Sequence, residues 1–237
     1  MSLHYNKLVQ HTMAYLEFDW QHIRPPFRMI VAGSSGSGKT YVVKQMLEHM
    51  DEVFGHTFDK IKYCFKAPDP LIYEVTANLP QIEPCDGIPL DYIANPGAYK
   101  GPEEHVLLIL DDLIHAASKS AAVDQLFAVN ARHWNISVIL ITQNIYIKSP
   151  FMVNISLNTT HMIVTENKRN PSQFHILAQQ LEPALWRQLV EAHARAMAMR
   201  RFGYLVIDLD KHTPAKLKYY TGILQSSPRF YYELRAD

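Results

Sequence analysis

A short glycine- and serine-rich segment, residues 33–40, constrains this chain more than any other feature of its sequence. It matches the pattern G-x-x-x-x-G-K-[ST] at every position. An apolar run precedes it, and the residues after it carry apolar side chains at helical spacing. Glycines let the backbone curl so that its N–H groups face an anion, and a helix start adds its positive dipole end. The sequence therefore predicts a phosphate-binding loop between a strand and a helix, made of Gly33, Ser34, Ser35, Gly36, Ser37, Gly38, Lys39 and Thr40.

The last two residues of the loop carry charge and metal chemistry. We expect Lys39 to reach the β and γ phosphates of a nucleoside triphosphate, and Thr40 to place its hydroxyl on Mg²⁺. ATP and Mg²⁺ are therefore the expected ligands. Residues 167–170 superficially resemble the guanine-binding pattern N-K-x-D, but the last of them is Asn170 rather than an aspartate. For that reason we do not expect a GTPase.

A pair of carboxylates follows the most apolar run of the chain, residues 106–110. This run ends in Asp111 and Asp112, and ligands of parallel sheets bind at the carboxyl ends of the strands. We expect Asp111 to hold the Mg²⁺ shell, and Asp112 to orient or deprotonate the attacking water.

A polar turn follows the next predicted strand, residues 136–142. If this strand lies beside the one that ends in Asp111, then Gln143 faces the γ-phosphate or the attacking water. Gln143 is therefore a third candidate catalytic residue, after Lys39 and Asp112.

Strand-like and helix-like segments alternate along the chain, which predicts an α/β fold. The expected class is a P-loop NTPase of the RecA/FtsK-like type, with a mainly parallel central sheet and helices on both faces. Residues 66–104 are rich in proline and glycine and are predicted to form long loops with short helices. We expect an N-terminal extension, 1–26, followed by a single ATPase domain, 27–237. Further strands are predicted at residues 27–32, 61–65, 161–165 and 203–208, and helices at 40–50, 121–131, 171–181 and 185–199.

The composition limits how the chain can contact nucleic acid and where in the cell it is expected. The 23 Lys and Arg residues balance 23 Asp and Glu residues, so contact with nucleic acid needs a local basic patch or a ring of subunits. Residues 193–220 are such a candidate patch, with six basic and two acidic side chains, although an ordinary solvated face fits them as well. We expect neither a transmembrane helix nor a secretory signal. Two cysteines give neither a zinc site nor a disulfide framework, which favours an intracellular location.

Several segments resemble one known family. Besides the phosphate loop and the acidic pair, they include residues 132–139 followed by Thr142, Gln143 and Asn144, and also residues 156–158 and 167–173. Together they are similar to the viral genome-packaging ATPases of the FtsK/HerA superfamily, in particular those of Maverick/Polinton elements and related DNA viruses with double-jelly-roll capsids. The resemblance covers roughly residues 24–182.

This resemblance implies a ring-forming motor, a pentamer or hexamer, that threads double-stranded DNA into a preformed capsid. Its expected partners are double-stranded DNA and capsid proteins, without a membrane. The expected location is the nucleus or cytoplasm of a host cell, with association with the virion left open. In such motors the glutamine that corresponds to Gln143 senses the γ-phosphate, and an arginine acts across the subunit boundary. Arg132 and Arg169 are both candidates for that arginine, and the sequence does not choose between them.

Two other functions use the same loop. A small-molecule kinase needs a lid with clustered arginines and an acceptor pocket, whereas Asp111, Asp112 and Gln143 suit hydrolysis. A nucleotide-switched scaffold predicts a damaged Lys39 or Asp112, and both are intact. Stimulation of ATP hydrolysis by DNA would separate the three functions.

Overall fold

The structure, a computed structural model, describes residues 22–67, 70–146 and 149–235. Most of the predicted N-terminal extension, 1–26, lies outside these ranges. Of its described residues, Ile23 is buried, and its backbone N–H donates to the carbonyl of Val53 at 2.8 Å. Residue 23 is therefore attached to the folded domain.

Within the described residues, the strands form one sheet in the order β3-β2-β4-β5-β1-β6-β7-β8-β9. The strands from β3 to β6 in this order pair in parallel, and those from β6 to β9 pair antiparallel. Their bounds are β1 Arg28–Ala32, β2 Lys60–Phe65, β3 Ile82–Asp86, β4 Val106–Asp111, β5 Ile136–Thr142, β6 His161–Thr165, β7 Tyr204–Asp208, β8 Tyr219–Thr221 and β9 Phe230–Tyr231.

Helices cover both faces of this sheet. Their bounds are α1 Lys39–Glu48, α2 Met50–Phe54, α3 Pro70–Asn78, α4 Leu90–Ala94, α5 Ile114–Ala117, α6 Ala121–Gln125, α7 Ala131–His133, α8 Pro150–Leu157, α9 Ser172–Leu181 and α10 Trp186–Ala198. A π-helical turn, Leu126–Asn130, joins α6 to α7, and 3₁₀ turns occupy Pro96–Ala98 and Ala215–Leu217.

Each central strand contributes to two cores, because successive side chains point to opposite faces of a sheet. On β1, Met29 and Val31 pack in the core that contains α1, whereas Ile30 and Ala32 pack in the core that contains α9 and α10. Burial on both faces explains why residues 29–32 of this strand are all apolar. Burying one such large side chain stabilises the fold by roughly 1.5–3 kcal/mol.

The order of the central strands determines where polar strand ends meet. β5 lies between β1 and β4, and the register pairs Ala32 with Thr142 and Asp111 with Ile141. The carboxyl ends of these three strands therefore lie side by side at one edge of the sheet. The interpretation of Gln143 required β5 to lie beside β4, and the structure shows that it does.

The predicted fold class is confirmed, because the sheet is mainly parallel and carries helices on both faces. The prediction for residues 66–104 is incomplete, since β3 lies within them. Pro84 interrupts the strand pattern there, and a proline is tolerated because β3 is the edge strand of the described sheet. Helix α8 and the short strands β8 and β9 were not predicted either.

None of the helices in the described part of the chain is long and apolar enough to cross a membrane.

Candidate active site

Backbone hydrogen bonds tie the predicted phosphate loop to both neighbours of β1. The N–H of Gly33 donates to the carbonyl of Thr142 at the end of β5, at 3.3 Å, and the N–H of Ser34 donates to the carbonyl of Glu166 after β6, at 3.1 Å. A Cβ atom at Gly33 would lie 1.8 Å from the Thr165 Oγ1 atom, so no larger residue fits there. The start of the loop is therefore held at the edge where the strands end.

Gly38 shapes the other end of the loop. Its φ of +96° lies in the left-handed region, and α1 begins at the next residue. A Cβ atom at this position would lie 2.6 Å from the Cβ of Phe202. Glycine is thus required twice here, by the backbone conformation and by the close approach of Phe202.

Lys39 lies across the loop that precedes it. Its Nζ donates to the carbonyl of Ser34 at 2.9 Å. Burial lowers the pKa of the Lys39 ammonium below its usual value, and the carboxylates of Asp111 and Asp112 oppose that shift. The only basic side chain of the loop therefore lies inside it and within electrostatic reach of the acidic pair.

The two aspartates take different positions. Asp111 ends β4, and its Oδ2 accepts a hydrogen bond from the hydroxyl of Tyr63 on β2 at 2.9 Å. Asp112 is exposed and has a φ of +53°, a left-handed conformation that aspartate adopts more readily than most residues. The chain therefore turns sharply at Asp112, so that the Asp111 carboxylate is hydrogen-bonded to the sheet and Asp112 is exposed.

A cleft of about 400 Å³, the phosphate cleft, brings the predicted residues together. At its edge, the N–H of Asn144 donates to Thr142 Oγ1 at 3.1 Å, and that hydroxyl donates to the carbonyl of Asn144 at 2.9 Å. This tight turn leaves Gln143 exposed in the cleft. The lining includes Lys39, Thr40, Asp111, Asp112, Gln143 and Phe202.

These residues fit Mg²⁺ and a triphosphate. Thr40 and Asp111 line one cleft, and their side chains offer a hydroxyl and a carboxylate, the kind of oxygen ligands that Mg²⁺ prefers. Gly36 and Gly38 open the loop through left-handed backbone conformations, and the N-terminus of α1 adds N–H groups toward an anion. Thr40 and Asp111 would hold the metal, and the loop with Lys39 would hold the phosphates.

The two candidate arginines lie outside this cleft. Arg132 shares an open cleft with Arg28 and His133 just before β5 begins. Since β5 spans seven residues, at roughly 3.3 Å per residue, Arg132 lies roughly 20 Å from the carboxyl end of β5, where the phosphate cleft lies. Arg169 is exposed in the connection between β6 and α9, after the carboxyl end of β6.

Two residues that contact members of the candidate site, Tyr63 and Phe202, were missed as site residues. Tyr63 is buried on β2 and has no motif around it. Phe202 belongs to the basic stretch 193–220. It packs against Gly38, and it is the one residue of that stretch that lines the phosphate cleft. The sequence signals for both are weak, because only the fold brings Tyr63 to Asp111 and Phe202 to Gly38.

The fold is shared with solved structures of low sequence identity. The genome-packaging NTPase B204 of Sulfolobus turreted icosahedral virus 2, in complex with ATPγS, matches with a TM-score of 0.54 and 15% identity over 80% of this chain and 95% of that chain. The DNA-packaging ATPase B204 of Sulfolobus turreted icosahedral virus matches with a TM-score of 0.52 at 15% identity, with the same coverage. The cytoplasmic domain of the type VII secretion ATPase EccC of Thermomonospora curvata matches with a TM-score of 0.52 at 9% identity, over 89% of this chain and 25% of that one.

No protein-family model and no curated protein matches the chain. The likeness to packaging ATPases is therefore confirmed at the level of the fold.

Proposed function

We propose that this chain hydrolyses ATP in the phosphate cleft with the help of Mg²⁺. The observation that carries the proposal is the convergence of Lys39, Thr40, Asp111, Asp112 and Gln143 on that cleft. Two of the similar structures are described as complexes with the ATP analogues ATPγS and AMPPCP.

Each side chain has a separate task in this proposal. The Lys39 ammonium neutralises charge on the β and γ phosphates once it leaves the carbonyl of Ser34. Asp112 accepts a proton from the attacking water, and Gln143 orients that water or contacts the γ-phosphate. Mg²⁺, held by Thr40 and Asp111, would supply charge stabilisation on the phosphate oxygens.

We further propose that hydrolysis drives double-stranded DNA into a capsid. Two proteins that share the fold are described as a genome-packaging NTPase and a DNA-packaging ATPase of viruses. Double-stranded DNA and capsid proteins are the proposed partners. The proposed site of action is inside a host cell, in the nucleus or cytoplasm.

A homo-oligomeric ring, a pentamer or hexamer, is the proposed assembly. The formal net charge of the chain is zero, so a single subunit attracts DNA weakly, whereas a ring multiplies a local basic patch into a track. Arg132 lies too far from its own phosphate cleft to act there. It, or Arg169, would instead act on the nucleotide of a neighbouring subunit.

The test is the rate of phosphate release with and without duplex DNA. We expect the rate per subunit to rise with protein concentration, and duplex DNA to raise it further in a manner that salt suppresses. A rate that is indifferent to DNA and to concentration would leave a P-loop hydrolase without a motor. Phosphate transfer to a small acceptor instead of water would favour the kinase.

A further inference from the structure

A second cleft adjoins the phosphate cleft at the start of α1. This lateral cleft has a volume of about 270 Å³ and shares Tyr41 and Phe202 with the phosphate cleft. Its other lining residues include Gln45, Arg200, Arg201 and Leu224. Because Tyr41 directly follows Thr40, the two clefts together form one continuous depression across the N-terminus of α1.

Two aromatic rings, those of Tyr41 and Phe202, lie where the two clefts meet. The ring centroids of Tyr41 and Phe202 are 5.4 Å apart, and Tyr41 is 41% exposed. Phe202 has a φ of +60°, which is a strained conformation for an aromatic residue, and its Cβ is held against Gly38. Strained residues of this kind cluster at ligand sites, where the surrounding structure holds them in place. The aromatic faces thus lie at a defined position beside the loop.

Positive charge accompanies these rings. The guanidinium of Arg201 lies 5.0 Å from the centre of the Phe202 ring, and that of Arg200 lies 5.5 Å from the centre of the Tyr204 ring. In the described part of the chain, neither arginine takes part in a salt bridge. Aromatic faces beside arginines are the usual means by which proteins bind nucleobases, through stacking and cation–π contact.

We propose that the lateral cleft binds the nucleoside of a purine nucleoside triphosphate, with the base stacked on Tyr41 and Phe202. The proposal rests on the proposed function, because it needs the phosphates in the phosphate cleft. Arg200 and Arg201 line the same cleft and add positive charge beside the ribose and base. The larger ring of a purine stacks more extensively than a pyrimidine, so the cleft favours ATP over CTP.

Another pocket beside the loop fits the nucleoside less well. It has a volume of about 230 Å³ between Gly33 and the helices α9 and α10, where Phe174 and His193 line it. None of its lining residues also lines the phosphate cleft. A nucleotide with its phosphates beside Lys39 therefore continues into the lateral cleft, which shares two residues with the phosphate cleft.

The experiment compares two ligands that differ by the nucleoside. Dissociation constants of ATP and of inorganic tripolyphosphate, each with Mg²⁺, are measured for the wild-type chain, Tyr41→Ala and Phe202→Leu. We expect both variants to bind ATP roughly tenfold more weakly and to bind tripolyphosphate as the wild type does. Tyr99→Ala is the matched control, because Tyr99 is 52% exposed and lines neither cleft. We expect it to change neither constant.

The possible outcomes separate this proposal from the proposed function. Equal weakening of ATP and tripolyphosphate would overturn the nucleoside assignment, since it would show a defect of the loop itself. Unchanged ATP binding in Tyr41→Ala would overturn it as well, and this variant keeps the test decisive if Phe202→Leu does not fold. A wild-type chain that binds ATP but never cleaves it would contradict the proposed function and leave the nucleoside cleft standing.

Discussion

The hydroxyl of Tyr63 on β2 donates a hydrogen bond to Oδ2 of Asp111 at the end of β4, at a distance of 2.9 Å. The two strands are direct neighbours in the sheet, and Tyr63 is buried. Such a contact restricts the rotation of the carboxylate that would hold Mg²⁺. Partners of this kind tune metal affinity without touching the metal.

We predict that Tyr63→Phe raises the Mg²⁺ concentration needed for half-maximal hydrolysis by roughly tenfold. At saturating Mg²⁺, kcat should stay near the wild-type value, because the ring still fills its place on β2. The matched control is Tyr92→Phe, which removes a buried hydroxyl that has no hydrogen-bond partner among the described residues. An unchanged Mg²⁺ requirement in Tyr63→Phe would contradict a positioning role.

Substitutions of Asp111 and Asp112 should have two different effects on the reaction. Asp112→Asn is expected to keep ATP bound and to lower kcat by roughly a hundredfold or more, because asparagine cannot accept the proton of water. Asp111→Asn should instead weaken the response to Mg²⁺. Equilibrium binding of ATP and single-turnover cleavage measure the two effects. If Asp112→Asn cleaved ATP normally but bound it poorly, the two roles would have to be exchanged.

The burial of His193 predicts that the free energy of unfolding depends on pH. Burial lowers the pKa of this histidine from 6.5 to about 4. A hydrogen bond to the backbone of Thr165 opposes this shift in part, and the nearby His175 adds slightly to it. Its Nε2 is closed off from solvent and has no partner among the described residues, and its ring stacks on Phe174 at 4.0 Å. The folded state therefore resists protonation of the ring.

Because the pKa of His193 is lowered in the folded state, the free energy of unfolding falls as the pH falls. Above pH 6.5 the stability that His193 contributes is fully present, and it is lost as the pH falls from 6.5 toward 4. The loss amounts to at most roughly 3–4 kcal/mol, at about 1.4 kcal/mol per pKa unit. We expect His193→Phe to flatten the decline of the free energy of unfolding over this range. A residual slope is expected from His161, whose pKa burial also lowers. Identical slopes in variant and wild type would exclude the effect.

Much of the site was predictable because its signals are local. The phosphate loop is a continuous pattern, and the acidic pair directly follows an apolar strand. The link between them needed only the rule that parallel strands end at one edge, and the register of β4, β5 and β1 bears it out. Gln143 was found in the same way, from its place after β5.

The rest depends on contacts between distant parts of the chain. Phe202 meets Gly38 across more than 160 residues, and nothing in the local pattern around Phe202 indicates that contact. Tyr63 occupies an ordinary strand position, and only the pairing of β2 with β4 gives it a partner. In β3, Pro84 obscures the strand pattern, because proline normally argues against a strand. It is tolerated there because β3 is an edge strand of the described sheet.

Mixed rings are predicted to identify the arginine that acts between subunits. Lys39→Ala subunits and Arg132→Ala or Arg169→Ala subunits should each be inactive alone. A mixture for the correct arginine regains part of the ATPase rate, because some interfaces then combine an intact Lys39 with an intact arginine. The measurement is the rate of phosphate release against mixing ratio. Absence of recovery for both arginines would remove them from the site.

Phosphate release from MgATP by the wild-type chain, Lys39→Ala and Lys44→Ala is the most direct test of hydrolysis in the phosphate cleft. Lys44 is a suitable control because it lies on the same helix and pairs with Glu74 at 2.7 Å, away from the loop. We predict that Lys39→Ala lowers the rate by roughly a hundredfold or more and weakens ATP binding, since it removes a cation from the phosphates. Lys44→Ala should retain the wild-type rate. Unchanged turnover in Lys39→Ala would contradict the assignment of the site.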